Sequence, residues 1–204
     1  MGNHGYSSAR TPHHEGGFDD YADQAGGRRD RGVGGDFVDD SDVRAHLRVV
    51  DLNVRSTVHL SKRLLPEMVE RGAGRVLFTS SIAATAPGPF HSVYAASKAF
   101  ISSFADALRE ELTDSGVTVT TLMPGATDTD FFRRAGMEDT KVATGAKDDP
   151  AEVARDGYEA LMAGKDHVVA GSLKNKVQVA ASRVLPDPVK AKLQRSATEP
   201  GSGK

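Results

Sequence analysis

Tyr94 and Lys98 stand four positions apart in the segment SVYAASKAF (92–100), among mostly small residues, in a chain with only four tyrosines and no tryptophan. On a helix that spacing is about one turn, so both side chains leave the same face. A lysine cation beside a phenol favours the phenolate and is expected to lower the tyrosine's pKa from its ordinary value of about 10. Such a pair can donate and accept a proton near neutral pH. A YxxxK spacing also arises by accident on exposed helices, so its weight depends on what the chain brings beside it.

The elements that must position the pair can be read on either side. RVLFTS (75–80) is a short apolar run of the kind buried on both faces of a sheet. VTVTTLM (117–123) is rich in β-branched residues and predicts a second strand. Between them a helix is expected over about 94–113, with Ile101, Phe104, Ala105, Leu108 and Leu112 on one stripe. Strand, helix and strand of these lengths form a βαβ unit, so the strands should be parallel neighbours. Ligands of parallel α/β sheets bind beyond the carboxyl ends of the strands. Ser80 and Ser81 leave the first strand there, and Tyr94 and Lys98 open the helix after the loop IAATAPGPFHSV. Pro124, Gly125, Thr127 and Thr129, in PGATDT, leave the second strand at the same edge. Serines at a strand end ordinarily cap turns, but convergence of these elements on one rim favours a site.

Further out, Ser41 can cap a helix whose apolar positions are Leu47, Val50, Val54, Val58, Leu65, Met68 and Val69, ending near Gly72. Pro66 is expected to kink or interrupt it. Asp149, Pro150 and Glu152 form a helix-start signature, and Gly164 closes that helix. HVVAG (167–171) predicts a third strand, followed by an amphipathic helix carrying Val177, Val184, Val189 and Leu193, interrupted near Pro186 and Pro188. Residues 1–35 hold nine glycines and three histidines without hydrophobic period, which is too little apolar surface to offset ordering entropy. His13, His14 and Glu15 there are weighed as stray residues rather than a metal site. The expected organisation is a disordered, unrelated segment over 1–31, a partial domain over 32–195 and a disordered polar tail over 196–204.

With 204 residues the chain is long enough for one domain with a core, and its net charge of −2 gives no pull toward nucleic acid or an anionic membrane. The absence of cysteine excludes disulfides and thiolate sites. No apolar run approaches the roughly 20 residues that span a bilayer, and the N-terminus has no signal-peptide core. A cytoplasmic protein is expected.

The run from NVRSTVHLSKRLLPEM through RVLFTSSIAATAPGPFHSVYAASKAF to LMPGATDTDFF resembles the short-chain dehydrogenase/reductase family. That family's pattern is Asn, then Ser, then Tyr-x-x-x-Lys, then a Pro-Gly turn ending in threonine. The resemblance implies Asn53, Ser81, Tyr94 and Lys98 as catalytic residues, the thirteen-position gap to Tyr94 selecting Ser81 over Ser80. It implies cofactor contacts from Tyr94, Lys98, Pro124, Gly125, Thr127 and Thr129, and substrate contacts from Ser81 and from His91 in the pocket segment. Tyr94 would exchange a proton with a carbonyl or alcohol oxygen, Ser81 would hold that oxygen, and Lys98 would bind the nicotinamide ribose. Asn53 would bind a water leading to Lys98. The implied fold is the C-terminal part of a Rossmann-like, doubly wound parallel sheet in an α/β protein. The family's Thr-Gly-x-x-x-Gly-x-Gly turn has no counterpart in the sequence, and the resemblance opens near residue 31, as a misassigned start or reading frame would produce. The implied cofactor is NAD or NADP, with NADP slightly favoured and binding expected to be weak; the implied substrate is a small carbonyl or alcohol. With three strands where a doubly wound sheet has about twice as many, an open edge and homo-oligomerisation or aggregation are expected. The alternative function is a catalytically silent remnant or association module that keeps the site residues.

Overall fold

Residues 33–38 and 42–204 are described by a computed structural model; Ser41 and the expected disordered segment 1–31 lie outside the described residues. Asp42 caps the first helix, α1 (Val43–Val50), its Oδ1 accepting from the Arg44 N–H at 3.0 Å. The chain continues through a π-helical turn, Asp51–Arg55, into α2 (Ser56–Glu70). The irregularity therefore falls at Asn53 and not at Pro66, which stays inside α2. Pro66 is exposed, so water can serve the carbonyl that its missing N–H leaves free.

The buried residues of this run are Ala45, His46, Ser61 and Leu65. Leu47, Val50, Val58 and Val69, which the periodicity assigned to a core stripe, are exposed, as are Leu52, Leu60 and Leu64. The period is helical, but that face has no cover among the described residues.

β1 (Gly74–Thr79) leads through a 3-10 turn (Ile82–Thr85) to α3 (Ser92–Glu111), and α3 to β2 (Val117–Met123). The two strands are parallel, with Gly74 opposite Val117 and Thr79 opposite Leu122. The expected βαβ unit is present. Two short helices follow, α4 (Phe131–Arg134) and α5 (Lys141–Thr144). Next come α6 (Pro150–Met162), capped by Asp149 through its side chain, and β3 (His167–Val169), which pairs parallel with the end of β2. Gly164 adopts the left-handed conformation (φ 63°) that ends α6. α7 (Leu173–Ser182) and α8 (Asp187–Thr198) complete the chain.

The sheet order is β1-β2-β3, so β2 is central and buried along nearly its whole length. Phe78 and Val119 pack under Ile101 and Ala105 of α3, whereas Leu122 packs with Val153 of α6 and Ala170. Successive residues of a strand face opposite sides, so the sheet carries helices on both faces, as a Rossmann-like α/β sheet does. Arg109 of α3 ties the layers together, its Nε donating to Val119 O at 3.0 Å and its Nη2 to Asp166 O at 2.9 Å.

The tail differs from expectation. α8 runs to Thr198, which is buried, and the Gly203 N–H donates to Asp139 O at 2.9 Å. A composition of small polar residues suggested disorder, yet these backbone groups find partners on the segment before α5. No helix among the described residues is long and apolar enough to cross a membrane.

Candidate active site

β1 ends at Thr79, and the next two serines part company. Ser80 is buried with its Oγ donating to Lys98 O at 2.9 Å and sharing a 2.7 Å bond with Ser102 Oγ. It fastens α3 to the strand end. Ser81 caps the 3-10 turn, its Oγ accepting from the Ala83 N–H at 3.1 Å and donating to Pro124 O at 3.4 Å. The same side chain lies close enough to the Tyr94 phenol to favour its ionised form. Ser81 and Tyr94 therefore meet, and Ser80 belongs to the packing.

Tyr94 and Lys98 lie in the first two turns of α3. The Tyr94 ring neighbours His91, 6.2 Å away between centroids, and Phe131, 5.0 Å away. Lys98 Nζ lies 5.7 Å from the centre of the same ring and donates to Thr79 O at 3.0 Å. The expected lowering of Tyr94's pKa by Lys98 is not what this arrangement produces. Burial raises it above the ordinary phenol value, and Ser81 opposes the rise. The ammonium lies by the ring and engages a backbone carbonyl, while burial lowers Lys98's own pKa.

Asn53, in the π-helical turn, donates from Nδ2 to Ser97 Oγ at 2.9 Å, and Ser97 Oγ donates to Tyr94 O at 2.7 Å. Asn53 is thus joined to the active helix through Ser97. Its carbonyl accepts from the Thr57 hydroxyl at 2.7 Å. His91 is buried with Nδ1 paired to Pro89 O at 3.0 Å; burial lowers its pKa and the Pro89 bond opposes that.

The turn after β2 is held from both sides. Pro124 O accepts from the Ile82 N–H at 3.0 Å, and Thr127 Oγ1 donates to Gly125 O at 3.1 Å. Gly125 lies so near Asn175 that a Cβ there would collide with its side-chain amide. That asparagine, buried, donates to Asp148 Oδ2 at 2.7 Å and to Ala170 O at 3.0 Å. Thr129 is exposed, its Oγ1 accepting from the Phe131 N–H at 3.3 Å. Sequence reasoning missed Phe131, Ser97, Asn175 and Asp148. The paired phenylalanines of DFFRRAG were a readable signal, since two adjacent aromatics in a polar segment need cover; the polar three carried none. Among the described residues no cluster of three or more His, Asp or Glu could hold a metal ion, and His13, His14 and Glu15 lie outside those residues.

Comparison with known proteins follows the same pattern. A sequence model of the short chain dehydrogenase family matches residues 24–139, more than half of the chain. The match opens inside the segment expected to be unrelated. An uncharacterised short-chain type dehydrogenase/reductase of Sinorhizobium fredii is 42% identical over 94 residues, covering 46% of this chain and 38% of that protein. Dehydrogenase/reductase SDR family member 7B of Danio rerio is 34% identical over 142 residues, covering 66% of this chain and 45% of its own length. The chain thus spans less than half the length of these relatives. Among solved structures, a short-chain dehydrogenase from Sphingobium yanoikuyae in complex with NADPH superposes with a TM-score of 0.61 at 25% identity, over 71% of this chain and 54% of that one. A 3-oxoacyl-[acyl-carrier protein] reductase with bound NAD from Brucella melitensis does so with a TM-score of 0.54 at 29% identity, over 70% and 57%. Sequence match, parallel sheet and the grouping of Ser81, Tyr94 and Lys98 agree, and the chain belongs to the short-chain dehydrogenase family.

Proposed function

We propose that this chain carries the proton-transfer site of an NAD(P)-dependent oxidoreductase that interconverts small carbonyl compounds and alcohols. The observation that carries this reading is Lys98 beside the Tyr94 ring, its Nζ tied to Thr79 O at the carboxyl end of β1, with Ser81 close enough to act on the phenol. In reduction the Tyr94 Oη–H bond breaks and its proton passes to the substrate oxygen; in oxidation the proton returns from the alcohol. A raised pKa keeps the phenol protonated at neutral pH, which suits the donor role. Ser81 Oγ holds the same oxygen where negative charge develops. Asn53 steadies α3 through Ser97 and would hold a water that passes protons to Lys98. His91, whose ring lies 6.2 Å from that of Tyr94, would contact the substrate.

The donors fit the nicotinamide end of the cofactor. Lys98 has three N–H donors and gives one to Thr79 O, so two remain for ribose hydroxyls. Pro124, Gly125, Thr127 and Thr129 would hold the carboxamide. The cofactor, NAD or NADP with NADP slightly favoured, supplies the hydride. For the pyrophosphate the sequence offers no Thr-Gly-x-x-x-Gly-x-Gly turn, so binding is weak. That lack also favours a second reading, in which the site residues persist in a silent remnant or association module.

Reduction of small aldehydes and ketones, followed as loss of NADPH absorbance, tests the proposal. Slow turnover that falls by roughly 10²–10⁴-fold in Tyr94→Phe supports the enzyme. Turnover indifferent to Tyr94→Phe rejects this site, and no turnover with any substrate favours the silent remnant.

A further inference from the structure

The two aromatic neighbours of Tyr94 belong to different segments, and both segments are fastened by residues of one short C-terminal stretch. His91 ends the loop Gly88–Phe90, in which Phe90 is the one non-glycine residue among those described with a positive φ, 63°. A conformation that L side chains disfavour persists only where its surroundings hold it. Here the Arg195 guanidinium lies 5.3 Å from the Phe90 ring centre. The buried Thr198 hydroxyl reaches Pro89 O at 2.8 Å, sharing its proton with Gln194 O, also at 2.8 Å. Pro89 O is also the partner of His91 Nδ1.

Phe131, the other aromatic neighbour of Tyr94, begins the segment that runs through α4 to α5. Its far end is held by the tail. Ser202 Oγ accepts from the Lys141 N–H at 3.0 Å, and the Gly203 N–H donates to Asp139 O at 2.9 Å. The approach is close enough that a Cβ on Gly203 would stand 2.9 Å from Thr140 O.

We propose that residues 195–203 form a strap that fixes the substrate-side walls of the Tyr94 site, by joining the loop that carries His91 to the segment that carries Phe131. The proposal rests on the Tyr94 site as the substrate site. Thr198 and Ser202 are then positioning residues, because they touch the wall segments and not Tyr94. By holding the His91 and Phe131 segments against Tyr94, the strap limits the bulk of the carbonyl compound that can reach the phenol.

The test needs no cofactor. Two variants of the full chain are compared with the parent: Thr198→Val with Ser202→Ala, and deletion of residues 196–204. Tyr94 ionisation is followed by absorbance near 295 nm and assigned by subtracting the same variant carrying Tyr94→Phe. The groups that face the phenol, Ser81, Lys98 and His91, are unchanged in both. With the strap released, water reaches the ring, and Tyr94 should ionise at lower pH than in the parent. Amide exchange should quicken by about tenfold at Gly35, whose acceptor is Phe90 O, and at Ala135, whose acceptor is Phe131 O. Amides of the central strand β2 should keep the parent rates. An unchanged Tyr94 ionisation overturns the strap, and so does equal acceleration in β2, which marks general loss of stability. If the deletion does not fold, the double substitution decides alone. Failure of NADPH binding would defeat the proposed function and leave these readouts intact, so the two claims fail separately.

Discussion

At Tyr94 two effects oppose each other, burial raising the phenol's pKa and Ser81 lowering it, and burial wins. Because the folded-state pKa lies above the unfolded one, Tyr94 contributes stability that is present below the ordinary value of about 10 and is lost as pH rises through the folded value. Thermal melts between pH 8 and 11 should therefore fall less steeply for Tyr94→Phe than for the parent. His91 works in the opposite sense. Its pKa is depressed by burial, so its contribution is present above the ordinary value of about 6.5 and is lost as pH falls toward the folded value. His91→Gln should flatten the acid side of the melting profile; an unaltered slope there would contradict the burial account. The meeting of Ser81 with Tyr94 was legible in the sequence because a strand end and a helix start fix both positions. The partner of Lys98 was not, since a backbone carbonyl such as Thr79 O has no signature in a side-chain pattern.

Among the elements, local signals were reliable where sequence-near residues decide the outcome. The β-branched run predicted β2 over 117–123, its observed bounds, and the Asp149–Pro150 start of α6 stands as expected because a cap bond spans two residues. Pro66 misled because its cost depends on exposure, and the tail because its partners are distant residues of 139–141. β2 also holds a testable flaw. Thr120 is 0% exposed, and its Oγ1 has no hydrogen-bond partner among the described residues. Exchanging that hydroxyl for a methyl removes an unpaired polar atom at nearly constant volume, so Thr120→Val should stabilise the fold by about 1 kcal/mol. A rise of roughly 2–4 °C in Tm would accord with this, and a fall would show that the hydroxyl has a partner.

For the whole molecule the informative feature is what lies uncovered. Leu52, Leu60 and Leu64 on α2 and its approach are 71%, 54% and 51% exposed, and β1 has a strand neighbour on one side only among the described residues. Open strand edges and apolar faces attract other chains. Sedimentation velocity should show self-association that lessens in Leu60→Lys with Leu64→Lys; a parent that stays monomeric across a hundredfold concentration range would contradict this. The strand count leads to the expected open edge at β1, but not to the bare face of α2, because helical periodicity reports that a stripe exists and not what covers it.

The central proposal is that the Tyr94–Lys98 face holds the nicotinamide end of NAD(P), with no Thr-Gly-x-x-x-Gly-x-Gly turn in the sequence to assist it. Losing two charge-assisted hydrogen bonds, each worth about 1.5–3 kcal/mol, weakens a micromolar site by roughly 10²–10⁴-fold. A fluorescence titration of the purified chain with NADPH should therefore give a Kd of about 0.1–10 mM, and Lys98→Ala should abolish saturation. Micromolar binding, or binding unaffected by Lys98→Ala, would contradict the account.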